Sequence, residues 1–376
     1  MLLDNKTIAV IGAGPVGLTM AKLLLQNGIN VKVYERDKDP QARIWGGTLD
    51  LHQASGQQAL VKAGLLQQYY DKALPMGIVF VDKEAKTIAV REMTPENEHD
   101  NPEINRNDLR TLLINHLEPD TVIWDHKLTE LETQNGQWQL FFENGTMVKA
   151  DLVIVANGGR SKIRSYVTDT AVENTGTIII QGDVSEPGNN CPEFFKLCNG
   201  KRLMTADDGT LLVANPFNGG SLSYGVIFQG LPGSLKETCL ELNDTAATKK
   251  FLLTRLATWD GRFEELIAAT TQFVALPTRK LPLKGPWKKD RPLPITLIGD
   301  AAHLMPPFAG MGVNTGLVDA LILSENLTGY KFETIVAAIE DYERQMFVYA
   351  KEAQEQSGKN ELEMRSPDFS FEKLLS

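Results

Sequence analysis

Two stretches of the chain hold residues whose types and spacing could do chemistry. The first, Gly12-Ala13-Gly14-Pro15-Val16-Gly17, follows the β-branched run TIAVI and precedes LTMAKLLLQNG, an apolar pattern at helical spacing that stops at Gly28. The strand-like VKVYE comes next and closes on Glu35. In this setting Gly12 permits a tight turn, Gly14 lets the backbone approach a pyrophosphate, and Gly17 lets helix and strand pack closely. The helix start offers unpaired N–H groups and the positive end of its dipole to phosphates. Glu35, about 20 residues downstream, can accept hydrogen bonds from a ribose diol. Strand, helix and acid together point to a dinucleotide, with NAD(P) and FAD both open.

The second stretch, IGDAAHLMPPFAGMGVNTGLVDA, sets Asp300, His303, Pro306-Pro307 and the glycines Gly310, Gly312 and Gly316 between a strand-like and a helix-like run. An acid and a histidine so close invite a metal or a catalytic dyad. No third ligand lies nearby, however, and mononuclear sites usually take three protein ligands, so no metal is expected. The proline pair stiffens the loop, and the glycines free backbone amides to reach a ligand.

These loops need elements to hold them. Of the 376 residues, 42% are hydrophobic and 23% charged, the balance of a soluble globular protein. At roughly 150 residues per domain, two or three structural units are expected. A formal charge of −10 with scattered Lys and Arg argues against a nucleic-acid partner. Cys191, Cys198 and Cys239 form no C-x-x-C, so neither a disulfide scaffold nor a structural zinc site is expected. The start, MLLDNKTIAV, lacks the pattern of a signal peptide, and no apolar run reaches about 18 residues, which leads us to expect a cytoplasmic protein without a membrane partner. Residues 173 to 262 alternate strands such as GTIIIQGDV, TLLVANP and LSYGVIF with Gly and Asn turns, as in an antiparallel sheet. From Lys331 to about Ser357, Phe332, Ile335, Ile339, Tyr342, Met346, Phe347 and Ala350 recur at helical spacing, predicting a long amphipathic helix packed on the rest of the protein.

A third segment, DLVIVANGGRSKIR, reads as a buried strand, a turn at Asn157-Gly158-Gly159 and a basic helix start. With the second stretch it resembles two further fingerprints of the para-hydroxybenzoate hydroxylase family of single-component FAD monooxygenases, which decides for FAD. Asn157-Gly158 stands where that family usually has Asp-Gly, while G-D-A-A-H-x-x-P-P is complete. The resemblance implies that Asp300 binds a ribityl hydroxyl, that Pro307, Gly310, Gly312 and Asn314 lie along the flavin, and that His303 packs and hydrogen-bonds under the loop. It also implies an α/β fold: a discontinuous Rossmann-like FAD-binding domain (residues 1–65, 94–172 and 263–317), an antiparallel-sheet substrate domain (66–93 and 173–262) and a C-terminal helical segment (318–376).

The likeness narrows along the chain. RIWGGTLDLH, NPEINRNDLR, the ANGG turn, CNGKRLM, RPLPITLIGDAAHLMPPFAG and SPDFSFEKLL resemble the tetracycline-inactivating flavin monooxygenases, the tetracycline destructases, from about residue 5 to the carboxyl terminus. That family implies FAD held by Glu35, Arg36, Asp50, Arg106 and Asp300, with NADPH approaching near Arg43. Arg106 opens a helix where a guanidinium can meet pyrophosphate oxygens, whereas Arg43 rests on the resemblance. The same match puts Gln181, Arg202 and Asn215 against the oxygen-rich edge of a tetracycline, and Phe308, Met364 and Phe371 at apolar walls. Met364 and Phe371 could equally be tail packing, and Arg202, in the turn CNGKR beside a solvent-facing Lys201, could be one more solvated cation. Three positions depart from the destructases: Ser223 for His, Val213 for Phe and Met311 for Gln. The implied chemistry is reduction of the flavin by NADPH, addition of O₂ at C4a and transfer of one oxygen to C11a of the substrate, so no catalytic side chain is expected. A monomer is expected. A hydroxylase of another fused-ring phenol or polyketide, or an FAD-dependent reductase, shares every flavin motif.

Overall fold

The computed structural model describes residues 2–42, 47–230 and 244–375. Arg43 and Cys239 lie outside the described residues. The first strand, Ile8–Ile11, is central in a five-stranded parallel sheet. Leu152–Val155 and then Ile295–Leu297 flank it on one side, and Val31–Tyr34 and then Val122–Ile123 on the other. The sequences IAVI and LVIV are apolar without alternation, and with ITL they are buried at every position, as strands covered on both faces must be. The first helix, Pro15–Gln26, takes proline at its start, where the missing N–H would be unpaired anyway. Its glycines are steric necessities: a Cβ on Gly17 would lie 2.1 Å from the Gly12 carbonyl oxygen, and Gly12 sits at φ +108° with Ala156 O 2.7 Å from its own Cβ position. Glycine there sets how closely helix and strand approach.

A seven-stranded sheet forms the second layer. Its order is Phe273–Lys280, Glu173–Ser185, Ser221–Gln229, Thr210–Asn218, Arg202–Asp207, Ile78–Val81 and Thr87–Arg91. Every pairing is antiparallel except that of Arg202–Asp207 with Ile78–Val81. Residues 263–280, grouped by sequence with the cofactor-binding pieces, belong here: Phe273–Lys280 pairs with Glu173–Ser185, and Phe263, Leu266 and Ile267 bury into this sheet's own core. A two-stranded ribbon, Thr48–Asp50 with Glu103–Asn105, bridges the layers.

The long helix runs Ile335–Met364, beginning and ending several residues later than the apolar pattern predicts. Thr334 caps its start by accepting from Ala337 N at 3.1 Å, so Phe332 precedes the helix. Its last three turns are held by polar side chains. Gln354 donates to Leu281 O and Leu304 O, Ser357 to Pro306 O and Asn360 to Phe308 O, and Glu361 accepts from Thr175 and Thr278. The helix thus fastens the Pro306–Phe308 loop to the second sheet and ends with Met364 against the cavity described next. No helix of the described residues is long and apolar enough to cross a membrane.

Candidate functional site

A cavity of about 740 Å³ opens between the carboxyl edge of the parallel sheet and the inner face of the second sheet. Gly14–Val16, Ala156, Gly158 and Ile298–Asp300 line it from the ends of three parallel strands; Met204, Leu211, Val213 and Ile227 line it from the other layer. Ligands of open α/β sheets bind at such carboxyl ends. A second hollow, about 870 Å³, follows the outer face of the long helix near Trp287 and Phe347. Its buried ions are already matched, Arg291 holding both oxygens of Glu343 at 2.6 and 2.7 Å, and none of the glycine turns at Gly12–Gly17, Gly158–Gly159 and Gly310–Gly316 lines it. The first cavity is therefore the candidate site.

Of the residues expected at the cofactor, Gly14, Asp50, Arg106, Asp300, Pro307, Gly310 and Gly312 line the cavity. Arg106 begins the helix Arg106–Asn115, whose N-cap, Asn105, accepts from Asn107 N and Asp108 N. Its Nε is buried without a hydrogen-bond partner, and burial pulls the guanidinium below its usual range, with Asp300 opposing. A buried unpaired donor on a cation asks for an anion, and the open space at Gly14, where a Cβ would meet nothing within 4 Å, leaves room for one. These residues fit the diphosphate of FAD. Burial works against the Asp50 carboxylate, but the His52 hydrogen bond and the Arg202 charge outweigh it and hold Asp50 below the usual carboxylate range.

Other expected residues brace the site from outside. Gly12 and Gly17 shape the turn without lining the cavity. Glu35 stands at the strand end, its carboxylate accepting from Ala13 N at 2.5 Å and Asp37 N at 3.0 Å, and Arg36 beside it is exposed. Asn314 does not line the cavity, because its amide is fully engaged: Oδ1 accepts from His52 N and Gly56 N, and Nδ2 donates to Asp50 O and Gly310 O. It holds three cavity residues, Asp50, His52 and Gly310, in place. His303 is wholly buried, its Nε2 2.6 Å from Asp319 Oδ2, and Asp319 also accepts from Gly299 N and Tyr349 Oη. Burial pulls the imidazole down, but the Asp319 carboxylate outweighs it and the net shift is upward. The described residues hold no cluster of metal-ligating groups.

On the substrate side, Arg202, Phe308, Met364 and Val213 line the cavity. Asn215 does not, for its Nδ2 donates to Thr48 Oγ1 at 2.8 Å and Glu103 Oε2 at 2.6 Å, while its Oδ1 accepts from Phe217 N. Phe371 packs on Phe80, ring centroids 4.9 Å apart, as tail packing would have it. Gln181 and Ser223 lie beside Gly47, 3.8 and 3.7 Å from a Cβ placed there, and are not among the described residues that line the cavity. Met311 opens the helix Met311–Thr328 and is also off the lining. Lys201, expected in solvent, is only 16% exposed and pairs with Glu92 at 3.3 Å.

Three residues went unread in the sequence. Glu103 forms an ion pair with Arg202 and accepts from Asn215 and Thr48. Arg110 donates to Ala13 O and Ala42 O and pairs with Asp37 at 2.9 Å, gripping the glycine turn from behind. Arg164 donates to Ala301 O, Gly159 O and Asp300 O, tying the two later fingerprints together. Glu103 and Arg110 sit in NPEINRNDLR and Arg164 ends DLVIVANGGRSKIR, so a count of charges inside segments that must be buried would have flagged them.

A cavity with an anion-seeking arginine, a phosphate-ready helix start and an acid loop at the carboxyl edge of a parallel sheet defines a dinucleotide-binding flavoprotein. The chain belongs to the FAD-binding monooxygenases: the family model described as FAD binding domain matches residues 5–228 and 267–354. It is similar to the monooxygenase penA of Penicillium thymicola, 28% identical over 369 residues that cover 85% of this chain and 84% of the relative. Among solved structures it shares its fold with Klebsiella pneumoniae HpxO complexed with FAD and uric acid, at TM-score 0.81 and 20% identity over 97% and 90% of the two chains. It also shares it with the tetracycline destructase Tet(55), at 0.78 and 21% over 98% and 92%.

Proposed function

We propose that this protein is an NADPH- and O₂-using FAD monooxygenase, acting as a monomer, that hydroxylates tetracyclines at C11a and so inactivates them. The observation that carries the reading is the convergence of Arg202, Phe308 and Met364, matched by resemblance to the destructase substrate pocket, on one cavity with Asp50, Arg106 and Asp300. Bound FAD supplies the reducing and oxygen-activating chemistry. The chain's own residues bind and orient. Arg106 and the Gly14–Val16 helix start hold the diphosphate, and the Asp300 loop, tied down by Arg164 and Asp319, holds the ribityl chain. Arg202 donates to substrate oxygens, and Phe308, Met364, Val213 and Leu211 exclude water. The division into a cofactor-holding layer and a substrate-holding layer, with NADPH approaching near Arg43, is part of this proposal.

A hydroxylase of a different fused-ring phenol or polyketide is the second reading. It is favoured by Val213, which lines the cavity where a destructase has a larger Phe, and by Ser223, which does not reach it. Both are tested by NADPH oxidation with and without a panel of tetracyclines, read beside product mass. Stimulation with a gain of one oxygen supports the first; equal oxidation rates and no oxygenated tetracycline favour the second.

A further inference from the structure

The pairing of Glu103 with Arg202 carries a consequence for which substrates the cavity accepts. Among the described residues, the fully charged groups on its wall are Asp50, Arg106, Arg202 and Asp300. Arg106 stands by Asp300 with its buried Nε unpaired, placed for a cofactor phosphate. Arg202 is then the cation left for a substrate, and it arrives already matched. Across the antiparallel ribbon Asp50 and Glu103 are direct partners in register, so both acids project to one side, toward Arg202. Glu103 cannot swing away. It is 5% exposed, its side chain accepts from Asn215 Nδ2 at 2.6 Å and from Thr48 Oγ1, and its backbone exchanges hydrogen bonds of 2.7 and 2.9 Å with Leu74.

An arginine so placed keeps N–H donors to offer, since a guanidinium has five, but little net charge. A substrate that presents a lone carboxylate would bring a further anion to a cation already flanked by two. Neutral carbonyl, enol or phenol oxygens would use the same donors without that repulsion, and so would a zwitterion that carries its own cation. Resting on the reading that Arg202 faces the substrate, we infer that Glu103 is a specificity-determining positioning residue: by fixing and neutralising Arg202 it selects uncharged or zwitterionic oxygen-rich ring systems over simple aromatic carboxylates.

The test uses the FAD-loaded protein at pH 7 and two probes of nearly one shape, salicylate and salicylamide, with binding measured by equilibrium dialysis. The wild type should bind salicylamide at least tenfold more tightly than salicylate. Glu103→Gln should raise the affinity for salicylate about tenfold or more relative to salicylamide, with flavin content retained. Glu103→Gln/Arg202→Gln should lose that gain, because no cation remains to attract the carboxylate. Equal binding of the two probes by the wild type overturns the inference and requires no variant to fold. An unchanged ratio in a folded, flavin-loaded Glu103→Gln overturns it as well. Failure of the tetracycline reading shows separately, as absence of an oxygenated tetracycline, and leaves this ratio untouched.

Discussion

Truncation of Arg202 should destabilise the fold as well as weaken substrate binding. A solvated arginine in a Gly-containing turn would shift stability by about 0.5 kcal/mol or less when cut to alanine. Arg202 is instead the partner of Glu103, whose side chain is 5% exposed. Arg202→Ala leaves that carboxylate with two hydrogen-bond donors and no cation. Breaking a buried pair from one side costs about 3 to 5 kcal/mol; because Arg202 keeps 25% of its side-chain surface, about 2 to 3 kcal/mol is the fitting estimate. Denaturant unfolding of wild type, Arg202→Ala, Glu103→Gln and the double variant measures it, and the double variant should be more stable than Arg202→Ala alone. The deficit should also depend on pH. In Arg202→Ala the buried acid is favoured neutral, so the folded state binds a proton that the unfolded chain has released above about pH 4.3. Stability of this variant relative to wild type should therefore recover as pH falls from 8 toward 5. Lys201→Ala, which breaks a pair with the 65%-exposed Glu92, should cost no more than about 1 kcal/mol. An Arg202→Ala protein within about 0.5 kcal/mol of wild type at pH 8, with no pH dependence in the difference, would mean that Arg202 is a solvated cation and not the partner of a buried acid.

Arg106→Ala should lower FAD affinity roughly tenfold to a hundredfold, the loss of a charge-assisted bond of about 1.5 to 3 kcal/mol, without destabilising the FAD-free protein, since it removes an unpaired buried donor; titration with FAD and unfolding of the apoprotein check the two halves. Gly17→Ala should fail to load flavin or to fold, because its Cβ would meet the Gly12 carbonyl at 2.1 Å, and flavin content after purification reads this directly. Asp319→Asn should lower thermal stability most at and below about pH 6.5, the unfolded imidazole value. The raised folded pKa of His303 gives stability that is present there and is lost as pH climbs through the folded value; a wild-type-minus-variant difference that grows with pH would contradict it.

The parts of the fold readable in the sequence are those where one residue type alone satisfies the geometry. Gly12 and Gly17 are such positions, and the unbroken apolar runs IAVI and LVIV could only be strands buried on both faces. The ribbon was not readable, because Thr48–Asp50 and Glu103–Asn105 are three residues each, too short for alternation to show. The end of the long helix escaped for a different reason: Gln354, Ser357, Asn360 and Glu361 anchor it through hydrogen bonds, which an apolar period cannot register. At the site, residue type misled where an amide looked like a ligand. Asn215 and Asn314 are saturated by other protein groups, and partners more than a hundred residues distant in sequence decide that. Lys201 and Arg202 are neighbours in one turn, yet one pairs at the rim and the other enters the cavity, a distinction that the register of Arg202–Asp207 against Ile78–Val81 makes.

Product mass bears most closely on the proposal that this cavity holds FAD and delivers one atom of O₂ to a tetracycline. The purified protein, supplied with FAD and NADPH, should be incubated with tetracycline under isotope-labelled O₂ and the product read by mass spectrometry. The product should be heavier by one labelled oxygen, formed only when NADPH is present and lost in Asp300→Ala together with the flavin. Unaltered tetracycline, with NADPH consumed at the same rate in its absence, would contradict it.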